Sequence, residues 1–148
     1  MVEEKYFEDF KMGEKFKIPS RTITETHYLL FSALTGDNHP IHYDEEYCKK
    51  TIFGRRVAHG LLLASLTALG ASDASFATEN SILAFAEQWT RFLKPVFIGD
   101  TLAPILEVIE LIPKGKRGIV KVRCSIINQR GELVLEGGHT YFMKCRST

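Results

Sequence analysis

The sequence is short of cysteine, of net charge and of long apolar runs, and each shortage narrows what the chain can be. Its three cysteines, Cys48, Cys124 and Cys145, are odd in number and lack C-x-x-C spacing. That argues against a disulfide framework and fits a reducing cytoplasm. Lys and Arg together number 19 against 18 Asp and Glu, so no global field draws the protein to nucleic acid or to a membrane surface. The longest apolar run, around Leu61 to Leu69, is too short to cross a bilayer. The N-terminus, MVEEKYFEDFKMGEKF, is charged, and neither a signal peptide nor a membrane anchor is expected of it. No repeat or low-complexity tract is present. A length of 148 residues suits one domain with a genuine core, expected to span residues 1–148.

Against that even background one stretch stands out. Thr35 to Gly60 reads TGDNHPIHYDEEYCKKTIFGRRVAHG and holds a carboxylate, three imidazoles and a proline between a helical pattern and an apolar run. Asp37 and His42 lie five residues apart with Pro40 between them. Because proline pushes its predecessor out of the helical region, the pair belongs on a bent loop. A carboxylate and an imidazole facing each other across such a loop can share one water, one taking its proton while the other orients it. The same residues also suit a plainer role, an Asx turn after Gly36 and a surface histidine. Downstream, Ala58-His59-Gly60 runs straight into LLLASLTALGA, which puts Gly60 at a helix N-terminus. There unpaired N–H groups and a positive dipole end can hold an oxyanion.

GD-x-x-PIH, then AHG-x-LLAS, then RFLKPVFIGDTL, in this order and at this spacing, resemble the MaoC-like dehydratases, the (R)-specific enoyl-CoA hydratases of hot-dog fold. The resemblance covers nearly the whole chain. It implies that Asp37 and His42 are the catalytic pair, that Gly60 supplies the oxyanion N–H, and that an acyl-CoA thioester is the substrate, with no metal and no cofactor. Two departures stand out: His39 where members commonly have Asn, and Ala68 beside Thr67 where many carry Ser. Neither touches Asp37, His42 or Gly60. Hot-dog thioesterases and a non-catalytic acyl-CoA-binding protein are the alternatives.

Taken in order, the chain reads as α+β. Tyr6, Phe7 and Phe10 fold a polar lead-in back onto the body, and Glu14 to Ile23 reads as a strand interrupted by Pro19. Thr24 caps a helix running to Leu34 before Gly36, with Leu30, Ala33 and Leu34, and Phe31 nearby, as its apolar stripe. Asp44 to Lys50 suits a further helical turn. Gly60 to Ala71 is apolar all round, which predicts a long central helix buried on every side. Four strands follow, Ser81 to Phe92, Leu102 to Ile112, Ile119 to Asn128 and Leu133 to Met143, with turns at Gly99-Asp100, Pro113 to Gly118 and Gln129 to Gly131. In the third, Val120, Val122, Cys124 and Ile126 alternate with Lys121, Arg123 and Ser125, as a sheet with one dry face requires. A curled antiparallel sheet around a helix is the hot-dog fold.

Other polar residues take lesser roles. Asp37, His39, His42 and His59 include ligand types for zinc or iron, yet their spacing matches no ligand motif. Arg55 and Arg56 could meet coenzyme A phosphates or be solvated charge, and surface charge is the reading preferred for Lys116 and Arg117. His59 joins the substrate-binding candidates, and Leu63, Leu66 and Thr67 are candidates for lining the acyl site. His139 reads as a satisfied, partly buried core histidine, and Trp89 and Phe92 as core or interface. The exposed edge of the sheet needs covering, and a homodimer or dimer-based oligomer is expected.

Overall fold

The computed structural model describes residues 3–146. Strands β1 (Lys15–Lys17) and β2 (Arg21–Thr22) precede helices α1 (Glu25–Thr35), α2 (Glu45–Cys48) and α3 (Gly60–Ser65), and four long strands close the chain. These are β3 (Ile82–Phe92), β4 (Thr101–Lys114), β5 (Arg117–Asn128) and β6 (Leu133–Lys144). They form one antiparallel six-stranded sheet in the order β1-β4-β5-β6-β3, with β2 also on β4. The sheet curls around α3, the hot-dog arrangement.

The strands follow their local chemistry. On β5 the even-numbered residues from Gly118 to Asn128 are buried and the odd-numbered ones face outward, as the alternation with Lys121 and Arg123 requires. The β4–β5 hairpin is tighter than the composition of Pro113 to Gly118 suggests. Pro113 stays inside β4, Lys114 pairs with Arg117, and only Gly115 and Lys116 turn. Gly115 has φ +65°, the left-handed setting that glycine takes at the first position of a type II′ turn. Pro19 separates β1 from β2, and Phe10 joins Phe16, Leu106, Val120 and Met143 in one half of the core. The other half gathers Ile23, Tyr28, Leu62, Leu63, Ile126 and Leu135 under α1 and α3.

Two helices depart from expectation. The segment expected as a long helix from Gly60 to Ala71 is helical only to Ser65, then passes through turns into a 3-10 turn at Leu69–Ala71. Its side chains compete with the ladder: Ser65 Oγ donates to Leu62 O (2.6 Å) and Thr67 Oγ1 to Ala64 O (2.7 Å). The backbone tightens to i−3 bonds from Leu66 onward. Nor is it buried on every side, since Leu61 is 69% exposed and Ser65 and Ala68 follow it outward.

Helix α1 forms where expected, from the Thr24 cap to Gly36 at φ +76°, but it is rotated. Tyr28 and Ser32 face inward, while Leu30 and Leu34 stand 65% and 83% exposed. The inward face is the one that carries aromatic rings for the core, Tyr28 and half-buried Phe31.

Candidate active site

The loop that carries Asp37 and His42 is built from turn chemistry. Gly36 ends α1 in the left-handed region, which swings Asp37 off the helix. His39, held extended at ψ 133° by the proline that follows, opens a 3-10 turn over Pro40–His42. Its Nδ1 accepts from Ile41 N at 3.2 Å, so the imidazole caps the turn that it opens. The buried Cys48 thiol donates to Ile41 O at 3.1 Å, and Val57 N donates to the same carbonyl at 3.2 Å. Ala58 N is held by Val96 O at 2.8 Å. The loop carrying His42 and the segment leading to Gly60 are thereby pinned together and to the body.

His42 is buried, and its Nδ1 lies 2.7 Å from Val57 O. A carbonyl can only accept, so Nδ1 carries the proton there and Nε2 is the atom free to exchange one. Nε2 faces Asp37 Oδ2 across 3.9 Å. That is too long for a direct hydrogen bond, yet one water oxygen making bonds of about 2.8 Å to each group spans it. Asp37 is nearly half exposed on the open side, so water and substrate can reach the pair.

Gly60 opens α3, and its N–H therefore has no acceptor within the helix. The residue lines a groove of about 350 Å³ together with Phe53, Val57, Leu63, Phe92 and Val96. A Cβ on Gly60 would stand 3.0 Å from the Phe92 ring. A larger cleft of about 650 Å³ along the N-terminal lead-in shares no residue with this groove. Its walls carry Glu3, Glu4, Glu8, Asp9 and Glu14 against Lys5 and Lys11, a net negative lining that disfavours an anionic thioester.

The remaining expected residues divide. Leu63 lines the groove, whereas Thr67 is 1% exposed and its hydroxyl meets His139 Nε2 at 3.2 Å, inside the core. His139 is buried and satisfied as expected, with Tyr141 OH 2.8 Å from its Nδ1. Arg56 is engaged elsewhere: its guanidinium holds Glu25 at 2.6 and 3.0 Å and Glu45 at 2.8 Å, which leaves no free fork for a phosphate. Arg55 remains exposed and stacks on Phe97 at 3.8 Å. His59 is sealed beneath the pair, 3.8 Å from the His42 ring and nearly parallel to it.

Asp37, His42 and His59 bring three ligand-type atoms within 4.8 Å of one another. Their directions do not suit a metal. The two imidazoles stack at 22°, so their in-plane lone pairs run side by side rather than converging on one ion.

Comparison with known proteins gives the family. The MaoC like domain matches residues 9–129. The chain belongs to that family. An (R)-specific enoyl-CoA hydratase from Rhodospirillum rubrum is 33% identical over 143 residues, covering 95% of this chain and 93% of that protein. An unliganded R-hydratase from Pseudomonas aeruginosa superposes with a TM-score of 0.78 at 31% identity, over 99% of this chain and 89% of the other. A monoamine oxidase regulatory protein from Archaeoglobus superposes with a TM-score of 0.92 at 40% identity, over 99% of both chains. Within this MaoC-like domain, sequence reasoning overlooked Tyr43. Its place next to His42 in PIHYD gives no sign that its hydroxyl lies 2.8 Å from His59 Nε2.

Proposed function

We propose that this single MaoC-like domain, residues 1–148, reversibly hydrates trans-2-enoyl-CoA to (R)-3-hydroxyacyl-CoA. The observation that carries the reading is the 3.9 Å gap between His42 Nε2 and Asp37 Oδ2, open to solvent and pinned to the segment that leads into the Gly60 helix end. Relatives named as (R)-specific hydratases support the same chemistry.

In the forward direction a water held between Asp37 and His42 adds its oxygen to C3 of the conjugated thioester. One member of the pair takes the water proton, and the pair returns a proton to C2. With its Nδ1 proton held by Val57 O, His42 exchanges through Nε2. Electron density moves onto the thioester oxygen as C3 is attacked, and the Gly60 N–H would receive it. Leu63 and Phe92 would bound the acyl group, and Arg55 would meet the phosphates of the coenzyme. Two copies pairing along β3 would cover the sheet edge.

Crotonyl-CoA tests the reading. Loss of the conjugated-thioester absorbance without release of free thiol is the expected result. Asp37→Asn and His42→Ala should each lower turnover at least about 100-fold while leaving the circular dichroism spectrum and melting curve near wild type. Near-normal turnover in either folded variant would sink the assignment, and thiol release would move the protein to the thioesterases.

A further inference from the structure

The hydration step described above uses Asp37, His42 and Gly60, and leaves a second imidazole and a phenol beneath them without a task. His59 is 1% exposed. Every face of its ring is occupied: His42 stacks on one side, Tyr28 and Phe31 of α1 meet it at 5.6 and 4.9 Å, and Tyr43 tilts against it. Its Nε2 lies 2.8 Å from the Tyr43 hydroxyl and 3.3 Å from the backbone oxygen of Asp37. The Tyr43 hydroxyl also lies 3.2 Å from the backbone oxygens of both Asp37 and Tyr28. The charged and titratable groups facing His59 are thus Tyr28 from α1, Asp37, His42 and Tyr43 from the catalytic loop.

We propose, on the reading that Asp37 and His42 carry the hydration, that Tyr43 is a positioning residue acting through His59. It holds the backbone of Asp37 and fixes the tautomer of the ring on which His42 rests. Carbonyl oxygens only accept, so the single hydroxyl proton of Tyr43 goes to Asp37 O or Tyr28 O. Its oxygen then accepts from His59 Nε2, which must carry the ring proton. That leaves Nδ1 of His59 as a bare lone pair, and Nδ1 is indeed buried with no partner. The other tautomer would bury an orphaned N–H, the rarer and costlier omission.

The consequence reaches the chemistry. A proton added to His59 would have to sit on Nδ1, without an acceptor and 3.8 Å from the His42 ring. Burial first, and His42 second, hold this histidine below its ordinary range. Proton traffic is thereby confined to His42 Nε2 and Asp37. The brace meets the Asp37 carbonyl from two sides, the Tyr43 hydroxyl at 3.2 Å and His59 Nε2 at 3.3 Å, so the width of the 3.9 Å gap depends on it. Misplacement of catalytic groups by about 1 Å can cost about 100-fold in rate.

Tyr43→Phe removes only the hydroxyl and keeps the ring. Steady-state hydration of crotonyl-CoA should show kcat lower by about 10- to 100-fold with KM within about twofold. Nitrogen-15 spectra of the histidine rings should show His59 protonated at Nε2 in the wild type and mixed between tautomers in the variant. An unchanged kcat overturns the proposal. So does a kcat that falls only with the folded fraction while His59 keeps its Nε2 proton, the pattern of a purely structural residue. A wild type silent towards crotonyl-CoA overturns the hydration reading and the catalytic half of this inference with it. The His59 tautomers then show whether the hydrogen-bond network itself was read correctly.

Discussion

Gly60 illustrates how much one residue can carry in this site. Its N–H is the proposed oxyanion donor, and its missing side chain leaves room for the Phe92 ring. The two roles can be separated. Ala at this position adds a Cβ that pushes on the half-exposed end of Phe92 but keeps the N–H. Pro adds similar bulk and removes the N–H, at a first helical position where proline is tolerated. The preceding His59, at φ −58° and ψ 131°, already has the conformation that a following proline demands. We expect Gly60→Ala to lose less than about 10-fold in kcat and Gly60→Pro to lose at least about 100-fold more, the scale of one oxyanion donor. Equal losses in the two folded variants would remove Gly60 from the mechanism. The residues that define the pair were legible because loop chemistry is local: Gly36, Asp37, Pro40 and His42 set their own turn. Tyr43 was not, since nothing in PIHYD shows that its hydroxyl reaches two carbonyls and a ring 16 positions away.

Between elements, the decisive joint is the one between the α3 segment and β6. Thr67 and His139 meet across it, and Tyr141 closes the group from the same strand. Burial pushes His139 down to about 4, whereas an unfolded chain binds that proton near about 6.5. Between those values the unfolded state holds more protons than the folded one, so stability falls as pH drops through the window. The contribution approaches about 3 kcal/mol below pH 4. Urea melts at pH 7.5, 5.5 and 4.5 should show this decline, and His139→Gln, which keeps polar atoms for both partners, should flatten it. An identical slope in the variant would count against a neutral buried His139. The elements themselves were legible where one face is wet, as on β5, where Lys121, Arg123 and Ser125 mark the solvent side. On α1 both Leu30-Leu34 and Tyr28-Phe31-Ser32 form credible stripes, and only contact with His59 and the core chose between them.

For the whole molecule the open question is the β3 edge. Among the described residues β3 pairs with β6 alone, and its eleven residues leave one edge of backbone N–H and C=O groups without a neighbouring strand. It also exposes Leu83, Phe85, Trp89 and Phe92, each by about half. Part of this is internal fitting: Gly137 and Gly138 on β6 stand opposite Thr90 and Trp89, and a Cβ on Gly138 would strike the indole nitrogen. The outward part is what a second copy would cover, since exposed apolar edges are sites of strand pairing. Light scattering at 10 µM is expected to give about twice the monomer mass of 16.8 kDa, and Leu83→Lys, which puts charge on the edge, should shift it toward monomer. A monomeric wild type would refute pairing along β3.

The sequence by itself determined the fold class, the four long strands, the bent loop of Asp37 and His42 and the family, because each depends on alternation, spacing and backbone preference over a few residues. Tertiary structure alone decided which face of α1 turns inward, where the α3 segment gives up its helix, that Arg56 is spent on Glu25 and Glu45, and that His59 lies flat against His42. Those outcomes depend on groups far apart in the chain competing for the same volume and the same hydrogen-bond partners, and no local pattern records who wins.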